Sequence, residues 1–304
     1  MDPSGSLIKS CIEDVRSLLN EATFDAKYPD SVLVRQNMAS ALATLVARVN
    51  EGADDRIMVR MPITFVTGQE YYNLPANVQE VLRITTFDSQ GGLISDWRPR
   101  GEMHPNGPGW ALDGTTLRLN PFPTMDIDVD LWYVPSGFVA IHYGEGGMGV
   151  SGAFTFTLQS TPTLGLRGRG ENEYVGCLLR ILDSSGYHSE RIITAYDPLL
   201  SKVSLRTPLP TLSSSTGLKY EIVPAWSKAF WPAVATSMAI RLGAGRKITE
   251  RQEAALINQY RSDVKTLRDT LWKMKGRLGR FFDRDTIDND LAYMGWANDL
   301  FQGR

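Results

Sequence analysis

The chain has 304 residues, a formal net charge of -2, and 42% hydrophobic and 22% charged residues. At roughly 150 residues per domain this length leads us to expect about two folding units, and the balance is ordinary for a soluble globular protein. No stretch approaches the ~18 uninterrupted apolar residues of a membrane span, and the charge lacks the Lys/Arg excess by which nucleic-acid binders neutralise phosphates.

The opening Met1-Asp2-Pro3-Ser4-Gly5-Ser6 has no basic region followed by an apolar stretch, so no secretory signal is expected. Two distant cysteines, Cys11 and Cys177, suggest neither a disulfide framework nor a zinc site. Leu7, Ile8, Cys11, Ile12, Val15, Leu18 and Leu19 fall on one helical stripe. Asp30 then stands where a carboxylate would cap a second helix, with Met38, Leu42, Leu45, Val46 and Val49 turned inward until Gly52.

From residue 57 the apolar period becomes two, with turn residues at short intervals. Strands are expected at 57–66, 71–74, 81–87, 110–112, 116–119 and 127–134. Gly144, Gly146, Gly147, Gly149 and Gly152 read as a linker. A second β-rich block follows, with strands expected at 154–158, 178–182, 191–195, 203–206 and 220–223. Its position between sheet and helices suggests an insertion forming a small barrel or sandwich.

Pro232 fits the first turn of a third helix starting near Trp231 and ending near Leu242. Thr249 and Gln252 form a capping box for a fourth, long helix. Its apolar residues Ile257, Tyr260, Val264, Leu267, Leu271, Met274 and Leu278 alternate by three and four, a heptad seam suited to a neighbouring helix or subunit. A short amphipathic segment closes the chain, with Thr286 as its cap and Ile287, Leu291, Met294, Ala297 and Leu300 along one side. Phe281, Phe282, Tyr293, Trp296 and Phe301 add aromatic surface. Such a short helix must dock on something, either its own body or a partner groove.

Three histidines, His104, His142 and His188, form no metal-binding pair, and no nucleophile elbow or phosphate-binding lysine loop occurs. Gly144, Gly146 and Gly149 match G-x-G-x-x-G, but the following 153–158 alternates like a strand where a dinucleotide site needs a helix. Asp126, Asp128 and Asp130 imitate a calcium loop, yet Leu131 replaces its glycine, so we expect the wet face of a half-buried strand. Asp283, Asp285, Asp288 and Asp290 read as a solvated face. No carboxylate pair stands out for glycoside hydrolysis, and no catalytic residue, cofactor or metal is expected. Between Arg241 and Arg280 eleven Lys and Arg face four Asp and Glu, whereas from Phe281 onward two Arg face five Asp. The long helix is therefore basic and the tail acidic.

The phrase Phe65-Val66-Thr67-Gly68-Gln69-Glu70-Tyr71-Tyr72-Asn73-Leu74-Pro75 after two helices resembles the F-x-x-G-x-x-x-Y-x-L-P phrase of the phage head-to-tail adaptor family. Leu117-Arg118-Leu119-Asn120-Pro121-Phe122-Pro123 and Val129-Asp130-Leu131-Trp132-Tyr133 are similar to that family's strand, proline turn and strand with an aromatic pair. The inserted block, through Tyr174-Val175-Gly176, Leu179-Arg180-Ile181, Arg191-Ile192-Ile193, Tyr196-Asp197 and Tyr220-Glu221-Ile222, looks like a β-module of phage virion proteins. The resemblance implies a non-enzymatic structural protein at the head-tail junction of a virion, assembled in the host cytoplasm. It implies a homo-oligomeric ring of twelve subunits that docks on the portal protein, meets a tail nozzle or other tail proteins, and passes DNA through its channel without sequence-specific binding or membrane contact.

On this reading the fold is α+β. An α-helical bundle of two N-terminal and two C-terminal helices, the last one long, carries an antiparallel β domain and an inserted small β-barrel or sandwich. The expected divisions are N-terminal helices at 1–56, the β domain at 57–140, the inserted module at 141–223, C-terminal helices at 224–280 and a docking arm at 281–304. Portal docking falls to Phe281, Phe282, Ile287, Leu291, Tyr293, Met294, Trp296, Leu300 and Phe301, and subunit packing to Ile257, Tyr260, Val264, Leu267, Leu271 and Met274. Two alternatives stand beside it. One is another virion component, a tail nozzle or stopper. The other is a glycan-binding or glycan-cleaving β-protein using exposed Trp and Tyr, against which Trp97, Trp110 and Trp132 lie in strand-like segments that favour burial.

Overall fold

The computed structural model describes residues 5–20, 29–50, 57–74, 77–87, 93–99, 109–113, 116–136, 141–170, 173–182, 188–224, 227–244 and 249–281. The chain begins with α1 (Leu7–Leu18), α2 (Asp30–Val32), a π-helical turn (Leu33–Met38) and α3 (Ala39–Asn50). Seven strands follow: β1 (Val59–Phe65), β2 (Tyr71–Asn73), β3 (Val78–Phe87), β4 (Leu93–Pro99), β5 (Gly109–Asp113), β6 (Thr116–Asn120) and β7 (Ile127–Pro135). Then come β8 (His142–Gly149), β9 (Thr155–Thr157), β10 (Leu164–Gly165), β11 (Cys177–Leu182), β12 (His188–Asp197), β13 (Lys202–Leu205) and β14 (Leu218–Pro224). Helices α4 (Trp231–Ala244) and α5 (Glu250–Phe281) end the described chain.

The fold is α+β, and among the described residues the strand pairs are antiparallel except β4 with β5. Two compact units emerge, one of residues 1–55 with 137–274 and the other of residues 56–136 with 275–304. No described helix is long and apolar enough to cross a membrane.

In the first unit the strands run β8, β14, β11, β12, β13 and β9, and β9 pairs back to β8, closing a six-stranded barrel with β10 added on β8. Closure removes sheet edges. Inward positions of period two fill the interior with Phe156, Tyr174, Leu179, Ile181, Ile193, Tyr196, Val203, Leu205, Tyr220 and Ile222, all buried. The glycine-rich segment expected as a linker is strand β8. A Cβ on Gly144 would stand 2.6 Å from the Tyr220 ring, and one on Gly149 2.8 Å from that of Phe156. These glycines are absent side chains that make room for aromatic ones.

Outside the barrel a charged row crosses three strands. Glu221 on β14 pairs with Arg180 on β11, and Arg180 Nε donates to Glu190 of β12 at 2.8 Å. Arg180 and Glu221 are both buried, and the start of α1 covers Glu221. Glu221 accepts from Ser6 Oγ at 2.7 Å and from the backbone N–H groups of Leu7 at 3.0 Å and Ile8 at 3.2 Å. Its carboxylate thus takes donors that an isolated helix start leaves unsatisfied. Ser6 also caps the helix by accepting from Lys9 N.

Helix α4 is buried almost all round, at Ala233, Val234, Ala235, Met238, Ala239 and Leu242, and it contacts α1 and α3. A helix apolar on every side belongs inside a layer of helices. Hydroxyl and guanidinium groups join it to its neighbours: Arg241 donates to Ser40 Oγ and Thr44 Oγ1, each at 2.8 Å, and Thr236 Oγ1 donates to Asp263 of α5 at 2.7 Å. Pro232 sits in the first turn of α4 as expected. The Thr249/Gln252 capping box also forms, with Thr249 N donating to Gln252 Oε1 at 3.1 Å and Gln252 N to Thr249 Oγ1 at 3.3 Å. Asp30 is not a cap. It is the first residue of α2, after Pro29, and its carboxylate pairs with the Arg16 guanidinium instead.

The second unit is a seven-stranded sheet in the order β1, β7, β3, β4, β5, β6, β2. Its aromatic centre is Phe65, with ring centroids 4.8 Å from Tyr72 and 5.4 Å from Trp97. Trp97 Nε1 donates to Thr86 Oγ1 at 3.2 Å and Trp110 Nε1 to the Trp97 carbonyl at 2.9 Å, so burial leaves neither indole unsatisfied. Strand β4 and the short β10 lie where the periodic pattern led us to expect nothing. Asp126 and Asp128 are exposed as expected of a wet face, but Asp130 is buried, because β7 is an inner strand flanked by β1 and β3.

Candidate functional site

The long helix is the first candidate surface. It has 32 residues, about 48 Å at 1.5 Å per residue. Among its described side chains Leu256 and Leu267 are buried, and Ile257, Tyr260, Asp263 and Val264 are half-buried. The inward line thus runs Leu256, Tyr260, Asp263, Leu267, with Ile257 and Val264 on its flank. A polar residue enters the seam because Thr236 offers Asp263 a hydroxyl donor and Gln259 Nε2 offers a second at 2.9 Å. Tyr260 is fixed from α3, where Arg48 Nη1 donates to its hydroxyl at 3.1 Å and the guanidinium stands 5.7 Å from the ring centroid. Leu271 and Met274 continue the helix, described by its backbone alone, as is Phe281. Phe282, Ile287, Leu291, Tyr293, Met294, Trp296, Leu300 and Phe301 lie outside the described residues.

The second candidate is the β12–β13 turn of the barrel, which the sequence reading passed over. Leu199 is 92% exposed and Leu200 65%. The turn that presents them is firmly held: Asp197 Oδ1 accepts from the N–H groups of Leu199 at 2.8 Å and Leu200 at 3.1 Å. Arg167 donates to the Pro198 carbonyl and to Ser201 Oγ, and the Ser201 carbonyl accepts from Leu158 N at 2.7 Å. Two leucines on a turn held by polar groups form an exposed apolar tip. The signal was legible as Asp197-Pro198-Leu199-Leu200, since turn chemistry predicts polar residues where the two leucines stand.

A third surface lies at one end of the second unit. The turn after β1 meets the segment before β7, where Gly68 N donates to the Pro123 carbonyl at 2.9 Å and Thr67 donates from N and Oγ1 to Asp126 Oδ1. These hydrogen bonds hold Asp126 below the usual carboxylate range. Gly68 has φ +76°, a left-handed turn that its missing Cβ permits. The joined loops expose Val66, Phe122 and Met125.

The interior groups are inert. Burial pushes the Cys177 thiol up to about 12 and raises Cys11 as well, which suppresses thiolate chemistry. His142 is fully buried, with Nδ1 2.8 Å from the Tyr174 hydroxyl and Nε2 without a hydrogen-bond partner. Desolvation, aided by the nearby Arg167 charge, pushes it down to about 3 and keeps it neutral. Among the described residues no group of three or more His, Cys, Asp or Glu is arranged to hold a metal ion. No protein-family model matches the chain, and no curated protein does.

Proposed function

We propose that the chain is a structural head-to-tail adaptor of a bacteriophage particle, a non-enzymatic subunit of a twelve-membered ring that docks on the portal, joins the tail and leaves a channel for DNA. The observation that carries this reading is the use made of the Phe65–Pro75 phrase. Phe65, Tyr72 and Leu74 are buried, Gly68 makes the turn between β1 and β2, and Tyr72 Oη both accepts from Val66 N at 2.7 Å and donates to the Val66 carbonyl at 3.2 Å. The described residues of the phrase that resembles the family thus form one turn packed into the sheet's aromatic centre.

Further support comes from α5, whose described surface is mostly exposed and which keeps Ile257 and Val264 half-covered. In this proposal those residues, with Leu271 and Met274, pack on a ring neighbour, and the helices form the bundle-like body of the subunit. Residues 281–304 dock in a portal groove, and the Leu199/Leu200 tip or the Val66/Phe122/Met125 end meets the next tail component. A carbohydrate-binding reading asks instead for an exposed tryptophan platform. Trp97, Trp110 and Trp231 are buried and Trp132 is half-buried, with Nε1 donating to Thr85 Oγ1.

Electron microscopy of the purified chain, alone and mixed with portal rings, tests the proposal. Ring formation on the portal is expected, and a monomer that ignores portal rings sinks it. Deleting residues 281–304 is expected to abolish portal binding while leaving the melting transition in place. Retained binding removes the docking role from that segment.

A further inference from the structure

In the first unit a cleft of about 660 Å³ opens between the π-helical turn and residues 160–169 with Glu173 beside the barrel. That volume suits a small organic ligand. Three arginines line it, Arg35 from the π-helical turn and Arg167 and Arg169 from the loop after β10. Among the described residues the side chains of Arg35 and Arg169 have no hydrogen bond or ion pair. Arg167 is anchored, but only by neutral oxygens: the Ser160 carbonyl at 3.3 Å, Ser201 Oγ at 2.7 Å and the Pro198 carbonyl. Among the described residues no carboxylate pairs with it.

The one acidic residue among the described lining, Glu173, is committed elsewhere. Its Oε2 accepts from the backbone N–H groups of Arg169 at 2.7 Å and Gly170 at 2.9 Å. Among the described lining residues three positive charges face one negative. The hydroxyls of Ser160 and Thr161 add donors, while Val34, Ile141 and Leu166 supply an apolar wall. His142, which follows Ile141 and pairs across strands with Gly165, lies behind this lining. The site has its own structural provision, for π-helical turns break the regular helical register and recur at functional positions.

We infer that this cleft binds a phosphate dianion carried on an apolar organic body, the chemistry of a nucleotide. Guanidinium forks match phosphate oxygens in pairs, and a dianion meets the charge left over. The apolar wall takes the organic part. The phosphate has two sources, a free mononucleotide or the terminal phosphate of a nucleic-acid strand. The inference does not depend on the adaptor proposal.

Isothermal titration of the full chain with inorganic phosphate, a nucleoside monophosphate and a 5′-phosphorylated single-stranded oligonucleotide tests it. The monophosphate is expected to bind more tightly than inorganic phosphate, because only it reaches the wall. Arg35→Gln and Arg169→Gln, both at exposed side chains, are each expected to weaken binding about tenfold or more while the melting temperature stays put. If the oligonucleotide binds and the free nucleotide does not, and the same variants abolish that binding, the phosphate comes from a strand end and the inference stands. Absence of binding by any phosphate, or binding unchanged in both variants, overturns it. So does an aspartate-rich peptide that binds in an Arg35-dependent way where the phosphates do not.

Discussion

Glu221 accepts four hydrogen bonds while fully buried, one of them from the Arg180 guanidinium, and so ties the barrel to the first turn of α1. Removing one partner of such a pair strands the other charge in a low-dielectric interior. Glu221→Ala is therefore expected to cost about 3–5 kcal/mol in urea unfolding, and Glu190→Ala less, since Glu190 is only half-buried. Equal losses from the two would show that burial is not the cause. His142 makes a pH-dependent contribution. Its proton affinity falls from 6.5 to about 3 on folding, so the unfolded chain takes up a proton that the folded chain refuses. The stability it confers is complete above pH 6.5 and is lost as the pH falls toward 3. Between pH 7 and 5 the wild type should lose about 2 kcal/mol more than His142→Asn, and parallel losses would remove His142 as the source.

At the scale of elements, β8 shows how composition misleads. Gly144, Gly147 and Gly149 look like linker residues only while their neighbours are unknown; beside Tyr220 and Phe156 they are what lets a strand pass the rings. Gly144→Ala should destabilise the barrel by about 1–3 kcal/mol, because the Tyr220 ring is held by its hydrogen bond from Gln159 N at 2.8 Å and cannot easily yield. Gly146→Ala meets only the flexible Gln159 side chain at 3.3 Å and should cost much less. Chemical denaturation of the two variants decides, and a reversed order refutes the packing account. Other elements were legible because their signals are local. The Thr249/Gln252 box, Pro232 in a first turn and the alternating strands of the barrel depend on residues near each other in sequence. Asp30 was misread because its partner, Arg16, comes from another helix.

For the whole molecule the surfaces matter more than the interior. Leu199 and Leu200 contribute almost nothing to the fold, being exposed on a turn held by its own polar groups. The double change Leu199→Ser with Leu200→Ser is expected to alter stability by less than about 0.5 kcal/mol. If the tip is the tail-side contact of the proposed adaptor, the same change abolishes co-sedimentation with assembled tail components; undiminished attachment assigns that contact to another surface.

The sequence by itself determined the class of the chain: helices before and after strands of period two, the last helix long and capped. Each follows from residue spacing and from caps within a few positions. Only the tertiary structure decided that the second β block closes into a barrel through β8, and that Asp263 joins the α5 seam. It also decided that Arg35, Arg167 and Arg169 face one cleft, and that Glu221 serves a helix more than 200 residues away. Strand closure, buried charge pairs and convergent guanidiniums are relations between distant residues, and no local period carries them.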